Sequence, residues 1–94
     1  MDEIRHEPAG HKGAFVWRRD GEKLAELTYS VAGTRVILDH TDVDDRLRGQ
    51  GAGKKLVAAA VEWARKDKAH LMPLCPFAKS VFDKTPEFRD VLAT

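Results

Sequence analysis

The sequence predicts an α+β domain: a three-stranded antiparallel meander, a crossover helix, a parallel fourth strand and short C-terminal helices. Three observations predict it. Segments rich in β-branched and aromatic residues, separated by turn dipeptides, fill residues 14–43. Apolar residues then recur at helical spacing between Lys54 and Lys68. A short extended segment follows that helix, and a strand–helix–strand unit of this kind brings its two strands side by side in the same direction.

The first strand, Ala14 to Arg19 (AFVWRR), ends at Asp20-Gly21, the dipeptide best suited to a tight hairpin because both central residues tolerate positive φ. Lys23 to Val31 alternates, with Leu24, Glu26, Thr28 and Ser30 on one face and Ala25, Leu27, Tyr29 and Val31 on the other. Ala32-Gly33 is the next turn. Thr34 to Val43 (TRVILDHTDV) starts with a β-branched centre and becomes polar, as a strand does when it leaves the core for a solvent cleft. Leu56, Val57, Ala60, Val61 and Ala64 then form one helical stripe, widened by Ala58, Ala59 and Trp63, with Lys54, Lys55, Glu62, Arg65 and Lys66 left for solvent. Ala69 to Leu74 is the fourth strand, and Pro73 within it indicates an edge or a bulge. Cys75-Pro76 ends it. Phe77 to Lys84 forms a short helix, and Pro86 to Leu92 adds one more turn that docks Phe88, Val91 and Leu92.

Ninety-four residues, 43% of them hydrophobic, suffice for one core, so residues 1–94 are expected to be a single domain with residues 1–12 flexible. Lys+Arg 16 against Asp+Glu 15 leaves a formal charge of +1, which offers no basic field for a nucleic-acid partner. The longest apolar run, Leu56 to Val61, is far shorter than the roughly 20 residues of a membrane span. The N-terminus mixes both charges and has no apolar core, so no leader is expected and the cytoplasm is the expected compartment. The lone cysteine, Cys75, excludes an internal disulfide, and the histidines show no metal-ligand spacing. Trp17, Tyr29 and Trp63 read as packing residues. The expected assembly is a monomer or weak dimer.

The stretch RLRGQGAGKKL follows a strand and opens a helix, where first-turn N–H groups lack internal partners and the positive end of the helix dipole favours phosphate. A P-loop is excluded twice: Arg48 stands at its first glycine position and Lys55 at its hydroxyl position. A dinucleotide fingerprint fails because Lys54 stands at its third glycine. Arg48-Gly49-Gln50-Gly51-Ala52-Gly53 resembles the (Gln or Arg)-x-x-Gly-x-(Gly or Ala) signature of the GNAT superfamily of acyl-CoA-dependent N-acetyltransferases. LDHTDVDDRLRGQGAGKKLV and LMPLCPF are similar to a short branch of it found as stand-alone domains, a likeness running from about Ala14 onward.

The resemblance implies a minimal GNAT-like fold and acetyl-CoA as the acyl donor to an amine that the sequence does not identify. Backbone amides from Gly49 through Gln50, Gly51, Ala52 and Gly53 would hold the coenzyme pyrophosphate, with Arg48 and Lys54 as charge partners. By the same resemblance the backbone of Val43 pairs with the pantetheine arm, and Phe77, Ala78 and Lys79 flank that arm and the nucleotide. The chain departs from larger members in having no room for N-terminal helices that form one wall of their acceptor site, so no acceptor carries over.

Two candidate catalysts remain. His40 near the end of the third strand and Cys75 at the end of the fourth would face one cleft if those strands are parallel neighbours. Imidazole, with a pKa near ~6.5, suits removal of a proton from the amine. A thiol at a helix N-terminus could instead take the acetyl group first, and the short branch has a cysteine and a histidine in the corresponding places. A lone cysteine is also commonly a small buried hydrophobe, and His40 could equally be a strand-end polar residue. The acidic run Asp42, Asp44, Asp45 would attract a cationic amine or simply be a solvated loop. An acyl-CoA-binding or protein-interaction module without efficient transfer is the competing reading.

Overall fold

Strand periodicity governs the first half of the chain and helix periodicity the second, and the computed structural model, which describes residues 1–93, joins them in one layered unit. Thr94, the last residue of the expected 1–94 domain, lies outside the described residues. Strands β1 (Asp2–Ala9), β2 (Lys12–Arg19), β3 (Glu22–Ala32) and β4 (Arg35–Val43) form an antiparallel meander. Helix α1 (Ala52–Asp67) crosses over to β5 (His70–Pro73), which pairs parallel to β4, and α2 (Pro76–Lys84) follows. Short 3-10 turns occupy Asp45–Leu47 and Pro86–Val91. The strands lie in chain order across a five-stranded sheet.

The expected order of elements is therefore present, with one correction: the meander has four strands, because the N-terminal residues expected to be flexible form β1. Hydrophobic alternation does not announce this strand, since Ile4 is its one large apolar side chain. It is held by polar ties across the β1–β2 pair. Arg19 donates to both carboxylate oxygens of Asp2 at 2.8 and 2.9 Å, Trp17 donates to Asp2 at 3.0 Å, and Arg18 donates to Glu7 at 2.9 Å. His6 stacks on Phe15 at 4.4 Å between centroids and meets the edge of Trp63. Charges and Pro8 on an edge strand also discourage pairing with another chain.

Packing follows the alternation. Phe15, Trp17, Ala25, Leu27, Tyr29, Val36 and Leu38 point to one face, where Leu56, Val57, Ala60, Val61 and Ala64 of α1 cover them. Burial of each Leu or Val is worth about 1.5–3 kcal/mol, so truncating Leu27 or Leu56 to Ala would remove roughly 2–5 kcal/mol once the cavity is included. The Asp20-Gly21 hairpin forms as expected, with Asp20 at φ 51° and Gly21 at φ 87°. α1 stops at Lys68, whose left-handed backbone donates its N–H to the Ala64 carbonyl. Pro73 lies on the edge strand, as expected. Trp17 and Tyr29 are buried in this core and Trp63 is half-buried against it.

Candidate functional site

The site begins where the sheet loses a partner. β5 pairs with β4 only from Arg35 to Leu38, and the Leu38 carbonyl accepts the N–H groups of both Leu74 and Cys75, at 3.2 and 3.0 Å. The chain turns away there, while β4 continues to Val43. Asp44 donates its N–H to the Leu24 carbonyl on the β3 side at 2.7 Å. Backbone groups alternate along a strand, so the N–H and C=O of Val43 face the edge that β5 has left.

The loop after β4 aims further donors at that gap. Asp44 caps the turn Asp45–Leu47, its carboxylate accepting from the Arg46 N–H at 2.8 Å. Gly49 and Gly51 take φ of 80° and 68°, a left-handed region costly to residues with a Cβ. Gly51 is the N-cap of α1 and has no side chain to cap it. The first intrahelical bond runs from Lys55 N–H to Gly51 C=O at 3.0 Å, so the amides of Ala52, Gly53 and Lys54 have no partner within the helix. A Cβ on Gly53 would collide with the Phe77 ring, which shows how closely α2 approaches this helix start.

Between them lies a cleft of about 400 Å³ lined by Val43, Arg48, Gly49, Gly51–Lys54 and, from α2 and its end, Phe77, Ser80, Val81, Lys84 and Thr85. Eight of the residues expected to bind donor, Val43, Arg48, Gly49, Gly51, Ala52, Gly53, Lys54 and Phe77, thus come together. The other three stand apart. Gln50 is exposed, its side chain donating to the Arg46 carbonyl at 3.2 Å; Ala78 is buried in the core; and Lys79 is exposed off the cleft. Ser80, Lys84 and Thr85 line the cleft without having been expected there. The signal was available, because positions 77, 80, 81 and 84 share one face of a helix.

Cys75 is 6% exposed and is the N-cap residue of α2. Its Sγ lies 3.3 Å from the Thr41 hydroxyl. Burial acts to raise the thiol pKa, but the Thr41 hydroxyl and the amides of Ala78 and Phe77 outweigh it and hold the pKa below its ordinary value. Those amides act through their dipoles, since the thiol closes no regular capping hydrogen bond.

The expected sharing of one cleft by His40 and Cys75 is corrected by a β-bulge. Tyr29 pairs with Leu38 but Thr28 pairs with His40, leaving Asp39 as an extra residue, fixed by a 2.6 Å hydrogen bond from Ser30. Below the bulge Leu38 is fully buried on the helix side; above it Thr41, opposite Leu27, takes that side, and His40 is turned to the open face of the sheet. β4 and β5 are parallel neighbours as expected, yet Thr41 rather than His40 meets the thiol.

A second hollow, of about 340 Å³, borders the other side of β4's end, lined by Lys23–Glu26, Asp42, Asp44 and Asp45. Its carboxylates are largely engaged. Arg46 spans Asp44 and Glu22, Lys23 pairs with Glu26 at 3.1 Å, and Arg48 pairs with Asp45 at 3.0 Å. Arg46 pushes the Asp44 carboxyl down to about 2. Among the described residues no cluster of His, Cys, Asp and Glu has the arrangement of a metal site, and no helix is long and apolar enough to cross a membrane.

Comparison with known proteins identifies the family and the fold. The sequence pattern of the family described as GCN5-related N-acetyl-transferase matches residues 14–91. The protein NATD1 of Homo sapiens is 38% identical over an alignment of 72 residues that covers 72% of this chain and 64% of that protein, so the match spans less than two thirds of the relative. The solution structure of a GCN5-like protein from Staphylococcus aureus is 35% identical, covers 99% of this chain and 91% of its own, and superposes with a TM-score of 0.72. A Bacillus anthracis structure in complex with acetyl coenzyme A shares the fold alone, at a TM-score of 0.56 and 18% identity over 67% of this chain and 38% of its own.

Proposed function

Because this chain belongs to the GCN5-related N-acetyltransferase family, we propose that it transfers an acetyl group from acetyl-CoA to an amine. The observation that carries this reading is the cleft at the end of β4, where free backbone groups and glycines meet Lys54 and Lys84, which form no ion pair among the described residues, and Arg48, which is held by Asp45. Anions are favoured at such a helix start by the dipole and by donors already in place. The amides of Ala52, Gly53 and Lys54 would hold the pyrophosphate, Lys54 and Arg48 would add charge, and Val43 would pair with the pantetheine arm. When bound, acetyl-CoA supplies an acyl group activated as a thioester.

An acceptor would reach that group from the open face of the sheet, since α1 fills the other face. His40 and Asp42 lie on that face, paired with Thr28 and Glu26. Asp42 would attract an ammonium group and His40 would take one proton from it; the amine then attacks the acetyl carbon, the carbon–sulfur bond breaks, and the departing coenzyme sulfur takes the second amine proton and leaves as thiol. The lowered pKa of Cys75 favours a second route. Its thiolate would attack the acetyl carbon first and release the coenzyme thiolate, and the amine would then displace Cys75. A reduced thiol suits the cytoplasm, and a monomer or weak dimer suffices.

Titration calorimetry with acetyl-CoA, followed by a screen of polyamines, amino acids and peptide N-termini for release of free coenzyme thiol, tests the proposal. Binding with acceptor-dependent release is expected. Binding without turnover for any amine would favour an acyl-CoA-binding module, and no binding at millimolar ligand would sink both readings. Intact mass after incubation with acetyl-CoA separates the routes: one acetyl group lost in Cys75→Ser marks the thiol route.

A further inference from the structure

The cleft extends beyond the residues that account for pantetheine and pyrophosphate. Phe77, Ser80, Val81 and Lys84 present one face of α2 to it, and Thr85 follows at the helix end. Thr85 is a buried polar side chain, only 6% exposed. It stands at the N-cap of the turn Pro86–Val91, yet its hydroxyl makes no capping hydrogen bond. No fully enclosed side-chain oxygen lacks a partner among the described residues, so this hydroxyl keeps some exposure, and Thr85 lines the cleft. Among the described residues Lys84 borders the same space without an ion pair, and neither Asp nor Glu lines it.

Coenzyme A continues past its pyrophosphate into an adenosine whose ribose carries one further phosphate. With the arm beside Val43 and the pyrophosphate on the first turn of α1, the far half of α2 is left for that phosphorylated ribose. The last turn of a helix carries the negative end of its dipole, so an anion there needs a cation close by. Lys84 supplies it. Resting on the donor reading above, we propose that Lys84, with the hydroxyls of Thr85 and Ser80, forms a subsite for the ribose phosphate. The subsite makes the protein select coenzyme A over dephospho-coenzyme A.

Calorimetric titration of the full chain with coenzyme A and with dephospho-coenzyme A tests this. The native protein is expected to prefer coenzyme A by roughly tenfold, the size of one charge-assisted contact. Lys84→Gln should erase that preference by weakening coenzyme A alone. Thr85→Val, nearly isosteric, should reduce coenzyme A affinity by a few fold, with circular dichroism reporting an intact fold. Raising the salt concentration should shrink the preference. Equal native affinities, or a Lys84→Gln variant that weakens both ligands alike, would overturn the subsite and leave the donor reading standing. Failure of the native chain to bind either ligand would overturn both.

Discussion

Two hollows flank the end of β4, and they differ in what their charges are doing. On the acidic side, Glu26, Asp44 and Asp45 are each engaged by a cation of the same chain, and Arg46 joins that wall to Glu22 on β3. On the glycine-loop side, the amides of Ala52, Gly53 and Lys54 have no partner in their helix, and among the described residues Lys54 and Lys84 form no ion pair. Engaged charges hold the loop in place. Unengaged ones are available to a ligand. The contrast separates groups that build a site from groups that use it, although both kinds lie within one short stretch of chain.

The largest test of this division lies on the open face. His40→Gln should lower kcat by about a hundredfold or more if His40 is the proton acceptor. Its acetyl-CoA affinity, read by calorimetry, should stay at the native value, because His40 lies outside the donor cleft. Next in size is the loop itself. Gly51→Val forces a β-branched residue to a φ of 68°, a strain of at least about 1–2 kcal/mol that the loop can relieve only by turning its amides away. Acetyl-CoA affinity should fall by roughly tenfold to a hundredfold, with a much smaller change in the melting temperature.

A smaller effect is expected at the thiol. Thr41→Val deletes the hydroxyl beside Cys75 Sγ, one of the groups holding the thiol pKa down. The pH midpoint of thiolate ultraviolet absorbance should therefore move up in the variant; no movement would assign the lowered pKa to the backbone amides of Phe77, Ala78 and Thr41 alone. The smallest effect belongs to the engaged side. Arg46→Ala frees Glu22 and Asp44, but the groups are exposed and should shift the melting temperature by no more than about 4 °C. The sign with pH is fixed: the depressed Asp44 carboxyl contributes stability above its ordinary pKa of 3.8 and loses it as pH falls toward about 2. Native and Arg46→Ala melting temperatures should converge over that interval.

How much of this the sequence carried depends on the kind of interaction. Elements written in apolar periodicity were legible: the stripe of α1, the alternation of β3 and the hairpin at Asp20-Gly21 all occur where the pattern put them. The glycine loop was legible because glycine leaves a mark on the chain itself, through left-handed backbone at Gly49 and Gly51 and close contact at Gly53. β1 was not, since its ties are ion pairs and an imidazole stack with residues far along the chain. The relation of His40 to Cys75 was also hidden. It depends on a bulge whose one extra residue, Asp39, leaves no compositional trace in a segment already polar.

That bulge works as a frame shift in three dimensions. Counted without it, every second residue from Leu38 would carry His40 to the helix side beside the thiol; the inserted Asp39 puts Thr41 there instead. Imidazole and thiol are thus assigned to opposite sides of one sheet and cannot settle into an ion pair with each other. The thiol meets the Thr41 hydroxyl and backbone amides instead, and the imidazole faces the open side of the sheet.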